Sequence, residues 1–339
     1  MEDHEEAELC FPQLNTSCRK AMRPQSETML VYVLLSFVTI ITVVLNLLVI
    51  ICISHFRQLH TTTNLLILSL AVADFLMGFL QMPVEILLYK GCWTLGDFIC
   101  AVKFFLGSHI INASVGNMVL IAIDRYIAIC DPMFYSTRVT LKRVKLCIFL
   151  CWILAAVQSI WILRDFLMQP DRYNSCYGEC VVIVNYVEGV VDLVISFFAP
   201  ITVIIVLYIR VFVVAVSQAR AMRSHITAVT VQRSEAVKVQ KSEIKAARTL
   251  GVVIVVFLLC SSPYYCFTVA GENNSIAASS TAIQIWLLYC NSSLNPIIYA
   301  FFYPWFRKCI KHIVTLQILQ PHSFPNHSHN PDGLNLGTI

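Results

Sequence analysis

Acidic side chains inside apolar stretches mark where this chain can do chemistry. Asp74 follows Leu70-Ala71-Val72-Ala73, and Asp192 sits between Val191 and Leu193. A carboxylate in dry surroundings is costly unless a cation or a donor meets it, so each such acid is a functional candidate. Asp192 suits a counter-ion for a ligand ammonium, because screening in a partly dry cleft is weak. The competing reading is a buried acid hydrogen-bonded to a neighbouring helix. Glu188 lies one helical turn before it; it offers a second carboxylate for an amine, or a solvated acid at a membrane edge. Tyr264, Tyr265, Trp286 and Tyr289 can box an ammonium by cation–π contact, or simply pack. Asp74, Ser114, Asn291 and Asn295 offer hard oxygens for a sodium ion, or form a water-filled polar network. Arg125, in Asp124-Arg125-Tyr126, can pair with Asp124 and reach Glu243, or snorkel to headgroups. His109 has no second His or Cys at ligand spacing and reads as a core residue.

These side chains need elements that hold them in lipid. The chain has 339 residues, 58% hydrophobic and 13% charged, against roughly 25% charged in a soluble domain. Seven apolar runs, 29–55, 64–89, 98–123, 144–167, 182–216, 246–270 and 282–302, are each long enough to span a bilayer. A spanning backbone must satisfy its own hydrogen bonds, so the runs are helices. The fold class expected is an all-α membrane protein, a seven-helix bundle. The stretch 97–130 is its central strut. At about 1.5 Å per residue it reaches roughly 51 Å, enough to carry Cys100 on one side and Arg125 on the other. Pro132 then breaks the helix, and Met133 and Phe134 form an apolar knob.

With Arg125 placed inside, seventeen of the twenty-four Lys and Arg fall on the inner face. Arg19, Lys20 and Arg23 before the first span oppose that bias locally, but the later loops outvote them. The N-terminus is therefore expected outside. Residues 1–28 read as an outer tail without a signal-peptide core, so the first span is expected to act as the targeting element. Residues 29–303 form the bundle, and 304–315 an amphipathic helix on inner-leaflet lipids. Residues 316–339, rich in Pro, His and Asn, read as a disordered cytoplasmic tail. The net charge of +4 mostly reflects inner-face residues and does not argue for nucleic-acid binding.

Cys10, Cys18, Cys92, Cys100, Cys176 and Cys180 fall outside, where disulfides persist; six cysteines allow fifteen pairings. Asn15-Thr16-Ser17 is an N-glycosylation acceptor on the same side. Cys309, beside the inner leaflet, is a candidate for palmitoylation.

Asn46, Asp74, Asp124-Arg125-Tyr126, Trp152, Pro200, Pro263 and Asn295-Pro296-Ile297-Ile298-Tyr299 occur in order, one set per helix. The chain resembles a rhodopsin-like G protein-coupled receptor over residues 29–312. Within that class, the run from Asn291 to Phe306, Lys245-Ala246-Ala247-Arg248-Thr249-Leu250-Gly251 and Cys176-Tyr177-Gly178-Glu179-Cys180 resemble the trace amine-associated receptors. Two departures stand out. Amine receptors place an Asp eighteen residues before the Arg of Asp-Arg-Tyr, where this chain has Gly107, next to Ser108. The usual Cys-Trp-x-Pro of the sixth span is Cys260-Ser261-Ser262-Pro263. A fish-type branch is similar in moving the amine-binding acid to the fifth span, which points to Asp192.

The resemblance implies a plasma-membrane receptor for a small amine. It implies coupling to a stimulatory or olfactory heterotrimeric G protein and cyclic AMP, in sensory neurons. On this reading the sixth span is expected to swing about Pro263, breaking the Arg125–Glu243 hold and letting Tyr208 and Tyr299 re-pair, with the third inner loop, Pro132 and Met133 as the expected G-protein contact. The resemblance also implies Cys100–Cys180; for the tail, Cys18–Cys176 with Cys10–Cys92 is the expected arrangement. A carrier is disfavoured, since the spans show no internal repeat. An enzyme is disfavoured by the lack of His-Glu-x-x-His and Gly-x-Ser-x-Gly. A retinal receptor is disfavoured because 282–306 contains no Lys.

Overall fold

The computed structural model describes residues 9–19, 25–88, 92–169, 174–225, 251–266 and 277–315. Its helices are α1 (Gln25–His55), α2 (Thr62–Leu88), α3 (Gly96–Cys130), α4 (Pro132–Arg138), α5 (Leu141–Met168), α6 (186–225), α7 (Gly251–Cys266), α8 (Ala277–Phe302) and α9 (Pro304–Val314). Five of these, α1, α2, α3, α5 and α6, are long and apolar enough to cross a membrane among the described residues. Glu243 lies outside the described residues, as do most of the third inner loop and the tail beyond 315.

Local chemistry sets the helix ends. Thr61 caps α2 by accepting from the Asn64 N–H at 3.2 Å. Asp131 caps α4 by accepting from the Phe134 N–H at 3.0 Å, with Pro132 pre-set for the first turn. The break expected at Pro132 is thus a restart: a short helix follows, carrying the knob. The Arg307 guanidinium donates to the Ala300 and Phe301 carbonyls at the end of α8.

α3 is the hub, packed against α2, α5 and α6, while α1 packs on α2, α8 and α9. Lipid offers no hydrophobic drive to hold helices together, so small and polar side chains do it, at about 0.6 kcal/mol per interhelical hydrogen bond. The Asn46 amide donates to the Ser292 carbonyl at 2.9 Å, joining α1 to α8. The Trp152 indole donates to Ser69 at 3.0 Å, joining α5 to α2.

Two helices carry a π turn, Met77–Gln81 in α2 and Val194–Phe198 in α6. Each ends two residues before a proline, Pro83 and Pro200. A proline gives no N–H and pushes on the carbonyl four residues back; a widened turn absorbs both effects.

At the end of the bundle next to residues 9–19, disulfides join Cys100 to Cys180, Cys18 to Cys176 and Cys10 to Cys92. They hold residues 9–19 against 176–178, where Ser17 bridges Tyr177 and Phe11 packs edge-on to the Tyr177 ring. A fourth disulfide, Cys52–Cys309, ties α1 to α9. Cys309 lies fully buried on the face of α9 that also buries Trp305 and Phe306. Palmitoylation of Cys309 is therefore corrected: the sulfur is already bonded and out of reach.

Candidate functional site

A cavity of about 220 Å³ opens between α2, α3, α5, α6, α7 and α8, below the Cys180 loop. Asp192 lines it, as do Gly107, Ser108, Tyr264, Tyr265 and Tyr289. Much of the remaining wall is apolar: Phe104, Ile111, Leu163, Val182, Ile285 and Leu288. Both π turns border it. Gln81 closes the first, and Ser196 lies in the second, one turn after Asp192.

Asp192 Oδ1 accepts from the Gln158 amide of α5 at 2.9 Å. This neighbouring-helix bond coexists with exposure of the acid to the cavity. Among the described residues no Lys, Arg or His forms an ion pair with Asp192. Next to it, Tyr265 stacks on Phe197 at 4.1 Å, linking α7 to α6, and Tyr264 lies edge-on to Tyr265 at 5.2 Å.

Gly107 leaves room that another side chain takes. A Cβ there would sit 2.9 Å from Gln81 Nε2. The Gln81 amide thus covers the place where amine receptors hold their acid, and it donates to Glu85 and Tyr289 at 3.2 and 3.3 Å. Ser108 bonds Ser159 of α5 at 2.9 Å.

Two sequence expectations are corrected. Glu188 does not line the cavity; it pairs with Arg164 at 2.6 Å across α5 and α6. Trp286 does not line it either. It packs among Ala73, Met77, Met82 and Ile110 and edge-on to Tyr289 at 5.9 Å, so it backs the Tyr289 ring, which is the one that meets the cavity. Sequence reasoning missed Lys103 and Glu85 as a pair: Lys103 is 8% exposed and its Nζ lies 2.9 Å from Glu85.

Deeper in the bundle, Asp74 Oδ2 accepts from the Asn295 amide at 2.8 Å, with the buried Ser114 and Ser292 hydroxyls close to the carboxyl. Asp74 Oδ1, Asn291 Oδ1 and Asn295 Oδ1 are buried without a hydrogen-bond partner. Such unmet hard oxygens fit a small cation or water.

At the opposite end of the bundle, Arg125 is 3% exposed and donates to Asp124 Oδ2 at 2.8 Å and to Thr63. Asp124 also accepts from Thr63 at 2.8 Å and from the Tyr135 hydroxyl of α4 at 3.0 Å. Burial first, then the Asp124 carboxylate, push the Tyr135 phenol above its usual value, so it stays a donor. Val253 and Ile254 of α7 and Tyr299 of α8 enclose a small void over Arg125. Tyr126 packs outward with Ile129 against Val211 of α6. Tyr208 lies against Gly251, the first described residue of α7. Pro132 and Met133 are exposed on α4, Met133 at 78%.

The bundle thus has a cavity lined by Asp192 towards one end and a buried Arg125–Asp124 pair towards the other. Residues 45–299 match the family of seven-transmembrane receptors of the rhodopsin type. The chain is similar to trace amine-associated receptor 13c of Danio rerio, 35% identical over 95% of this chain and 96% of that one. It is likewise similar to trace amine-associated receptor 8a of Rattus norvegicus, at 36% over 93% and 95%. Trace amine-associated receptor 1 of Macaca mulatta is 34% identical over 93% and 96%. The matches run through both the cavity and the Asp124-Arg125-Tyr126 cluster, so this chain belongs to the rhodopsin family of G protein-coupled receptors and, within it, to the trace amine-associated receptors.

Proposed function

We propose that this receptor senses a small amine whose ammonium is anchored by Asp192. One observation carries the reading: of the acids lining the cavity, Asp192 is the one without an internal cation among the described residues. A weakly screened carboxylate there gains strongly from a ligand ammonium. Tyr264 and Tyr265 offer ring faces beside it. The fish-type branch, with its amine-binding acid on the fifth span, is the placement this reading favours.

Bound at Asp192 on α6 and against Tyr264 and Tyr265 on α7, an amine bridges two helices already joined by the Phe197–Tyr265 stack. It shifts the receptor only through a difference in affinity between two states. The active state is one in which α7 swings about Pro263 and Val253 and Ile254 leave Arg125. The guanidinium then becomes available to a G protein, with Pro132, Met133 and Phe134 as the neighbouring apolar contact. Tyr208 and Tyr299 re-pair across the opened gap, and a Glu243 hold on Arg125 is the further restraint to be broken. A stimulatory or olfactory G protein raising cyclic AMP in sensory neurons is the expected partner. Asp74, Ser114, Asn291 and Asn295 would hold a sodium ion, whose positive charge would favour the closed packing of α2 against α8. Asn15, exposed in the outer tail, would carry a glycan. The N-terminus lies outside the plasma membrane, and α9 rests on inner-leaflet lipid.

The test is amine-evoked cyclic AMP in transfected cells, with uptake of the same amine measured in parallel. A saturable cyclic AMP rise without uptake supports the reading. Uptake without cyclic AMP, or no response to any amine at verified surface expression, overturns it.

A further inference from the structure

We infer that Lys103 sets the charge of ligand this cavity accepts: by neutralising Glu85 it makes the receptor selective for monoamines over diamines. The inference rests on the reading that Asp192 anchors an ammonium.

The cavity is lined by three charged side chains among the described residues, Asp192, Glu85 and Lys103. Two acids and one base leave one net negative charge, which one ligand ammonium balances. The pairing inside the cavity decides which acid is available. Lys103 Nζ lies 2.9 Å from Glu85 Oε1, with side-chain exposures of 7% and 11%. Glu85 Oε1 also accepts from Gln81 Nε2 and from the Tyr289 hydroxyl, each at 3.2 Å. That carboxylate is met by three donors, all belonging to the protein. Lys103 lies one helical turn before Gly107, so it roofs the space that Gln81 fills. Glu188, one helical turn before Asp192, is held by Arg164 at 2.6 Å and is outside the cavity lining.

A ligand with one ammonium finds Asp192 and lays its apolar body along Ile111, Leu163 and Ile285. A second ammonium on the same ligand reaches a carboxylate already neutralised and a like charge on Lys103. It must either stay hydrated or displace a buried cation that has no other acid to turn to, since the first ammonium already occupies Asp192. Both cost more than binding an apolar end. Removing the Lys103 charge frees Glu85 for that second ammonium, so one substitution should change the valence of the preferred ligand.

The test compares matched series of n-alkylamines and α,ω-diaminoalkanes on the full-length receptor, reading cyclic AMP at equal surface expression. The wild-type receptor should prefer the monoamines. Lys103→Met should raise diamine potency relative to monoamine by about tenfold to a hundredfold, the range of a charge-assisted hydrogen bond. The charge-neutral pair Lys103→Met with Glu85→Gln should restore monoamine preference, and it guards against a folding defect in the single variant. Glu85→Gln alone leaves Lys103 without its partner and should weaken monoamines by about tenfold or more. An unchanged monoamine-to-diamine ratio in Lys103→Met, or full monoamine potency in Glu85→Gln, overturns the inference. Loss of both ligand series in Asp192→Asn alongside either of those results would leave the anchor standing and remove only the role of Lys103.

Discussion

Tyr135→Phe deletes one hydroxyl and should make the receptor signal without ligand. In the closed structure that hydroxyl donates to Asp124 Oδ1 at 3.0 Å, while Thr63 and Arg125 meet Oδ2. Phe keeps the ring, so α4 keeps its packing while the carboxylate loses the donor on one oxygen. A hydrogen bond to a charged group contributes about 1.5–3 kcal/mol. If the closed state alone makes this bond, its loss shifts the closed–open equilibrium by roughly tenfold to 150-fold. An open fraction of about 0.1% would then rise to roughly 1–13%. Thr62→Ala is the internal control: it removes the other bond of the same hydroxyl, 2.7 Å long, and leaves Asp124 satisfied. Its effect should stay below about 1 kcal/mol, as for a neutral hydrogen bond. The assay is basal cyclic AMP normalised to surface receptor. Basal signalling that is equal in wild type, Tyr135→Phe and Thr62→Ala would refute the idea that Asp124 helps hold the switch closed.

Three further outcomes are expected. Gln158→Leu removes the amide that orients Asp192 and should lower amine potency by about tenfold with expression intact; unchanged potency would mean that Asp192 needs no such support. Gly178 has φ +97°, and a Cβ there would meet Phe11 Cε2 at 2.8 Å. Gly178→Ala should therefore destabilise the outer cap by about 1–3 kcal/mol, read as a lower melting temperature of purified receptor. Cys309 should take no palmitate, since it is bonded to Cys52 and buried; acyl-exchange labelling that finds it acylated would show that bond to be open in cells.

Much of the bundle was legible because lipid constrains sequence harshly. Apolar length marked the spans, and an isolated acid such as Asp192 stood out against Val191 and Leu193. The parts that were not legible depend on which of several packed side chains reaches a cavity and on partners far away in sequence. Lys103 counted only as an outer basic residue, because its partner Glu85 sits on another helix and nothing local signals the pairing. Trp286 and Tyr289 look equivalent as aromatics three residues apart, yet only Tyr289 meets the cavity. The π turns had a usable signal in Pro83 and Pro200, although a proline alone does not tell a kink from a widened turn. That Gln81 occupies the space beside Gly107 follows from the first of those turns and could not be read from Gly107 itself.

The most direct test of the account is a single substitution, Asp192→Asn, read by amine-evoked cyclic AMP and by ligand binding on the same membranes. Shape and the neighbouring Gln158 are retained while the charge is lost. Removing one partner of a poorly screened charge pair costs about 3–5 kcal/mol, so potency and affinity should both fall by roughly two to three and a half orders of magnitude. Asp192→Glu should keep a weakened response. Full potency and unchanged affinity in Asp192→Asn, at normal surface expression, would contradict the claim that this carboxylate anchors the ligand.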